Sequence, residues 1–134
     1  MKSAAVIAAG LVMAGVLNVS ETQEPAGVRV LVRTEAGDIV VVVDTVRAPV
    51  TATNFLRYVD AGSYADGSFY RVVRGDNQPD DPVKIDVIQG GRARDGARFP
   101  PIALERTNTT GLTHEDGAIS MARAGVDTGT AEFF

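Results

Sequence analysis

Residues 39–43 read IVVVV, five β-branched side chains in a row, and they follow VRVLVRT at 28–34, whose apolar groups alternate. Branching at Cβ stiffens χ1 and suits the pleated surface of a strand better than a helix. In the first run Val28, Val30 and Val32 share one face while Arg29 and Arg33 take the other, the pattern of a half-buried strand. The second run is apolar on both faces. Glu35-Ala36-Gly37-Asp38 between them carries turn residues, so the two runs are expected to close as a hairpin. A strand apolar on both faces invites pairing with other chains when it lies at a sheet edge, and closing the sheet removes that edge. The hairpin therefore directs the reading toward an antiparallel β-barrel or sandwich.

The rest of the chain fits that class. PVTATNFLRYVDAG at 49–62 changes to a helical period: Ala52, Phe55, Leu56 and Val59 fall on one face, Pro49 suits the first turn and Gly62 the position just past the end. Asp66-Gly67 marks a turn and SFYRVV at 68–73 a further strand. GDNQPDDPVK at 75–84 reads as a polar loop, and KIDVIQGG at 84–91 returns to strand. Residues 92–115 show no clear period. Strand signal resumes in AISMAR at 118–123 and AEFF at 131–134. Many short strands with one or two helices, and no strand–helix–strand alternation, predict a mostly antiparallel β fold rather than a parallel α/β sheet.

Composition narrows the function classes. The chain has 134 residues, 45% of them apolar and 22% charged, which suits one soluble domain. A net charge of −4 argues against a nucleic-acid partner. No cysteine is present, so disulfides, thiolate metal sites and a cysteine nucleophile are excluded. At the N-terminus, Met1-Lys2-Ser3 precedes AAVIAAGLVMAGVLNV, uncharged until Glu21, which resembles a secretory signal or an uncleaved anchor over residues 1–19. A bacterial-type exported protein, periplasmic or extracellular, is expected, with a membrane role only if that segment is retained. SETQEPAG at 20–27 reads as a spacer, which leaves 28–134 as the folded domain.

Familiar catalytic arrangements cannot be assembled. His114 is the single imidazole and lies in a polar Thr-His-Glu-Asp stretch, so it reads first as a solvated loop residue. One histidine supports neither a Ser-His-Asp constellation nor a paired-histidine metal site. Asp80-Asp81 sits between prolines and reads as exposed loop, and Gly90-Gly91 lacks the continuation that a phosphate loop needs. By position alone Arg71 is an outward residue of an amphipathic strand, Gln89 a polar residue at a strand end, Phe134 core, and Ala122 without any signal.

Taken in order, however, PVTATNFLRYVDAGSY, FYRVV at 69–73, IQGG at 88–91 and GAISMARAGVDTGTAEFF at 117–134 resemble the cyclophilin family of peptidyl-prolyl cis/trans isomerases. The resemblance runs from about Val28 to Phe134 and covers roughly the first two thirds of a family domain. It implies a closed eight-stranded antiparallel barrel with two helices and an active groove on its outer face, acting without metal or organic cofactor. It further implies Arg71 as the catalytic residue, Gln89 as the substrate-binding residue that holds the peptide carbonyl, Ala122 as a binder of peptide backbone and Phe134 as the floor of a proline pocket. Phe69 and Glu132 would also meet substrate. Proline-containing polypeptides would be the partners, and cyclosporin-like ligands are implied by the same resemblance.

Several positions depart from the family. Tyr70 replaces the usual histidine between Phe69 and Arg71, and Glu132 stands where many members have glutamine. Asp86 and Val87 fall where apolar pocket residues are usual, and residues 72–88 form a longer connection than is typical, through the acidic insertion at 75–84. The chain also stops where a family member would be mid-strand, so it reads as a fragment. A proline-peptide binding or chaperone module with little turnover, an inactive fragment, and a structural exported β-domain remain as alternatives.

Overall fold

The computed structural model describes residues 27–134, so the expected leader at 1–19 and all of the spacer but Gly27 lie outside the described residues. It is strand-rich with two helices. β1 (Val28–Thr34) and β2 (Gly37–Val43) form the expected antiparallel hairpin, with Thr34 opposite Gly37 and Val28 opposite Val43. The turn is tighter than the sequence implies, because Thr34 Oγ1 accepts from the Ala36 N–H and donates to the Gly37 carbonyl, drawing Gly37 into the strand. Val41 and Val43 are buried, whereas Leu31 and Val40, paired across the hairpin, are exposed on its other face.

α1 (Pro49–Asp60) has proline in its first turn and no cap from its own flank. Its N-terminal amides are satisfied from a distance: the Glu105 carboxylate accepts from Val50 N at 3.0 Å and Thr51 N at 2.7 Å, an anion against the positive end of the helix. At the other end Gly62, at φ +64, adopts the left-handed conformation. This lets Gly62 N reach Val59 O and Ser63 N reach Tyr58 O, the paired bonds of a Schellman motif. Ala52 and Phe55 are buried as expected; Asn54 and Tyr58, which apolar periodicity does not select, are buried as well. Asn54 Nδ2 donates to Thr130 O at 2.5 Å, and Tyr58 Oη bonds Phe99 at both its N–H and its carbonyl.

β3 (Ser68–Val73) pairs antiparallel with β4 (Val87–Gly91), and the register slips between Phe69 and Arg71. Lys84, Ile85 and Asp86, expected in strand, lie outside β4. The cause is Gln78, buried within the polar insertion. Its Nε2 donates to Arg74 O and Ile85 O, both at 2.7 Å, and its Oε1 accepts from Ile85 N at 3.3 Å, so Ile85 bonds a side chain instead of β3. α2 (Thr107–Thr110) is a single turn closed by Gly111 at φ +69, too short to leave a period in the sequence.

Residues 131–134 and 118–123, read as strands, are extended segments joined by isolated bridges. Phe133 exchanges both backbone hydrogen bonds with Gly90, at 2.9 Å each; Phe134 does the same with Ser120, and Ala122 N donates to Glu132 O at 2.8 Å. Residues 131–134 therefore lie between β4 and the segment around Met121. Phe133 points inward and meets Phe55, Tyr64 and Phe69 edge to face with centroids 5.4 to 5.9 Å apart, the arrangement that ring quadrupoles favour. Among the described residues the named strands form two separate two-stranded sheets, not a closed barrel. Between them opens an apolar cleft of about 690 Å³, lined by Val32, Val41, Phe69, Ile88, Ile119 and Phe134 among others.

Candidate active site

A regular strand would send Tyr70 and Arg71 to opposite faces of β3. Here Phe69 opposes Gly90 and Arg71 opposes Gln89, which leaves Tyr70 as the extra residue of a bulge. The bulge allows both side chains to reach Gln89. Arg71 Nη1 donates to Gln89 Oε1 at 3.0 Å, and Gln89 Nε2 donates to Tyr70 Oη at 3.0 Å. Tyr70 Oη in turn donates to Glu132 Oε2 at 2.6 Å. Four side chains from three segments thus form one hydrogen-bonded row, with a cation at one end and a carboxylate at the other.

The Glu132 end of the row is held from beneath. Glu132 is flanked by Ala131, whose carbonyl accepts from Tyr64 Oη at 2.8 Å, and by the buried Phe133. Asn54 fixes Thr130 one step earlier. The Glu132 carboxylate rests against Gly91, where any β-carbon would overlap it. Gly90 has a different neighbour: a β-carbon there would lie 2.9 Å from the Phe69 ring and 3.0 Å from Ser68 O. The Gln-Gly-Gly step thus leaves room for core aromatic packing on one residue and for the Glu132 carboxylate on the next.

The row is half open to water. Tyr70 is 57% exposed and Arg71 is exposed, while Gln89 and Glu132 are half-buried. The Tyr70 phenol is raised above its ordinary value, first by partial loss of hydration and then by the bond to Glu132 and its charge, against the opposing influence of Gln89 and Arg71.

Of the remaining expected site residues, Ala122 adjoins the row through Glu132, whereas Phe134 borders two hollows that none of the row's four side chains lines. Ala122 is half-buried and its N–H is taken by the Glu132 carbonyl. Phe134, half-buried, stacks on His114 with centroids 5.6 Å apart, and His114 Nε2 lies 2.9 Å from Ser120 Oγ. His114 is exposed, as expected of a loop residue, but it carries this aromatic contact. Phe134 borders both the apolar cleft and a second hollow of about 700 Å³ that Ile102, Leu104 and Met121 also line. Phe69 packs inward on Phe133, with the core rather than with the polar row. Asp86 is exposed and borders the apolar cleft. Among the described residues no cluster of three His, Asp or Glu side chains is placed to hold a metal ion.

Sequence reasoning noted Tyr70 and Glu132 as separate departures; that they bond each other was not legible, because a bulge and a contact spanning residues 70 and 132 leave no local pattern. Phe133, the hub of the aromatic core, carries no signal in the sequence that separates it from Phe134.

Residues 29–134 match the family described as "Cyclophilin type peptidyl-prolyl cis-trans isomerase/CLD". The chain is 36% identical over 110 residues to peptidyl-prolyl cis-trans isomerase A of Dickeya dadantii, a match covering 78% of this chain and 52% of that protein. It is 37% identical over 89 residues to peptidyl-prolyl cis-trans isomerase B of Bacillus subtilis, covering 65% and 55%. With isomerase B of Escherichia coli it shares 36% identity over 106 residues, covering 75% and 57%. The chain thus spans about half the length of the curated relatives it matches. With the FYRVV, IQGG and AEFF stretches joined side by side through backbone hydrogen bonds and the match running through all three, the chain belongs to the cyclophilin-type peptidyl-prolyl isomerase family.

Proposed function

We propose that this chain catalyses cis/trans isomerisation of X-Pro peptide bonds in polypeptides, as an exported folding catalyst whose two sheets are part of the family's closed eight-stranded barrel. Rotation about an X-Pro bond crosses a barrier of about 18–20 kcal/mol because amide resonance is lost in the twisted state, and uncatalysed exchange takes tens to hundreds of seconds. In that state the prolyl nitrogen becomes pyramidal and regains a lone pair. Arg71 donates a hydrogen bond toward it. The bond is made mainly in the twisted state, so it lowers the barrier instead of only tightening binding. A charge-assisted bond, desolvated once the peptide covers Arg71, supplies one or two steps of about 1.4 kcal/mol, each about tenfold in rate.

Gln89 orients the guanidinium and holds a peptide carbonyl, the backbone at Ala122 aligns the extended substrate, and apolar groups around Phe134 receive the pyrrolidine ring. Phe69 supports this groove from the core, and cyclosporin-like ligands would compete for it. The observation that carries the reading is the 3.0 Å bond from Arg71 to Gln89 across the β3–β4 bulge, with Glu132 on the neighbouring segment.

Exchange NMR on a proline peptide tests it. The chain is expected to speed cis/trans exchange, and Arg71→Ala to lower that rate about 10- to 100-fold while the peptide still binds. Binding without accelerated exchange, or a rate indifferent to Arg71→Ala, would replace the enzyme with a proline-peptide binding module, a reading that the Asp86 carboxylate beside the apolar cleft favours.

A further inference from the structure

We propose that Tyr70, polarised by Glu132, is a positioning residue that pins the far end of the Gln89 amide and thereby holds the Arg71 guanidinium in place. The inference deepens the isomerase reading and rests on it.

The argument is one of donors and acceptors. An ionised carboxylate only accepts, a phenol has one proton to give, and a glutamine amide has a donating end and an accepting end. With Glu132 Oε2 at 2.6 Å, the Tyr70 proton goes to the carboxylate. The phenol oxygen then has only lone pairs to offer Gln89, and the group 3.0 Å away must be the NH₂ of Nε2. That choice leaves Oε1 facing Arg71 Nη1, again at 3.0 Å. With the amide reversed, NH₂ would face a guanidinium N–H, which cannot accept, and Oε1 would face an oxygen whose proton is committed elsewhere. Arg71 asks for Oε1 at one end of the amide, and the charge at Glu132, transmitted through one hydroxyl, asks for NH₂ at the other, so Tyr70 pins the orientation from the end that Arg71 does not reach. Every donor in the row points the same way, from Arg71 toward Glu132, and aligned hydrogen bonds of this kind strengthen one another.

The consequence reaches the reacting bond. A guanidinium carries five N–H donors in a rigid plane, so fixing one of them on Gln89 Oε1 fixes where the others point. A rocking amide would leave Arg71, exposed and on a long side chain, free to turn. Tyr70 touches no reacting atom in this scheme; it acts through Gln89.

The test uses the full chain with Tyr70→Phe, Glu132→Gln and the double variant. Tyr70 is largely exposed, and removing one hydroxyl leaves the core intact, so melting temperatures are expected to stay at the wild-type value. In nitrogen-15 NMR the two Gln89 amide protons should be widely separated in the wild-type chain and collapse toward solvated values in Tyr70→Phe. The isomerisation kcat should fall about tenfold, with KM within about twofold, because an orienting contact of about 1.4 kcal/mol acts on the twisted state. Glu132→Gln, which can donate as well as accept, should cause the same loss, and the double variant should be no slower than Tyr70→Phe alone. Unchanged Gln89 resonances and rate in Tyr70→Phe, or additive losses in the double variant, would overturn the proposal. If the wild-type chain accelerates no exchange at all, the isomerase reading fails, and the Gln89 resonances alone decide the positioning role.

Discussion

Tyr64 donates its hydroxyl to the carbonyl oxygen of Ala131 at 2.8 Å, across 67 residues of sequence. The bond ties the loop after α1 to the segment that presents Glu132, and the ring packs between Phe55, Tyr58 and Phe133. A phenol in such surroundings is hard to ionise. Burial first, then the neighbouring Tyr58 and Glu132 charges, push its pKa well above the usual tyrosine range.

The sign of the pH effect follows. A group whose folded pKa is raised stabilises the fold fully below its unfolded value, about 10 for tyrosine, and that contribution is lost as pH rises through the folded value. Stability measured by urea unfolding should therefore hold to about pH 10 and fall beyond it. Tyr64→Phe should cost about 1 kcal/mol at neutral pH through the lost bond to Ala131 and should flatten the alkaline decline. Parallel alkaline slopes in the two chains would show that Tyr64 is not the responsible group.

Gln78 provides a second test, within the insertion between Arg71 and Gln89. Its amide replaces backbone pairing where β3 and β4 separate, with both amide donor bonds directed to carbonyls. Gln78→Ala leaves the Arg74 and Ile85 carbonyls without this donor and should cost about 1–3 kcal/mol. Gln78→Glu should cost more, because a carboxylate would face two carbonyl oxygens. Hydrogen exchange should quicken first at Ile85, whose N–H bonds Gln78 Oε1, and then along β4. An unfolding free energy unmoved by both substitutions would mean that the loop is ordered by other contacts.

What the sequence revealed and what it withheld divide along a physical line. The β1–β2 hairpin and α1 were legible because burying one face imposes a period of two or 3.6 on the residues themselves. Arg71, Gln89 and Glu132 stand out in the sequence only through the resemblance to the family. Gln78, Asn54 and Glu105 were not legible, since each is a polar side chain that satisfies backbone groups, within its own loop for Gln78 and more than 50 residues away for the other two, and such a bond fixes one residue without setting a period. The same holds for Tyr70: strict alternation in FYRVV would part it from Arg71, and only the bulge brings both to Gln89.

Two adjacent glycines separate the demands of folding from those of the site. At Gly90 a β-carbon would press on the Phe69 ring and the Ser68 carbonyl, neither of which can yield without moving the core or the ladder. Gly90→Ala should therefore destabilise the chain by about 1–3 kcal/mol, the usual cost of overpacking. At Gly91 the overlap is with the far end of the Glu132 side chain, which can swing away. The backbone there is not left-handed, so alanine imposes no strain of its own and restricts the unfolded chain slightly. Gly91→Ala should leave stability within about 1 kcal/mol of wild type by urea titration. It should nevertheless break the Glu132 bond to Tyr70 and lower the isomerisation rate about tenfold, with no further loss when Tyr70→Phe is added. Equal destabilisation by the two alanines would show that Gly91 serves packing alone; a normal rate in a stable Gly91→Ala chain would show that Glu132 need not hold Tyr70 for the groove to work.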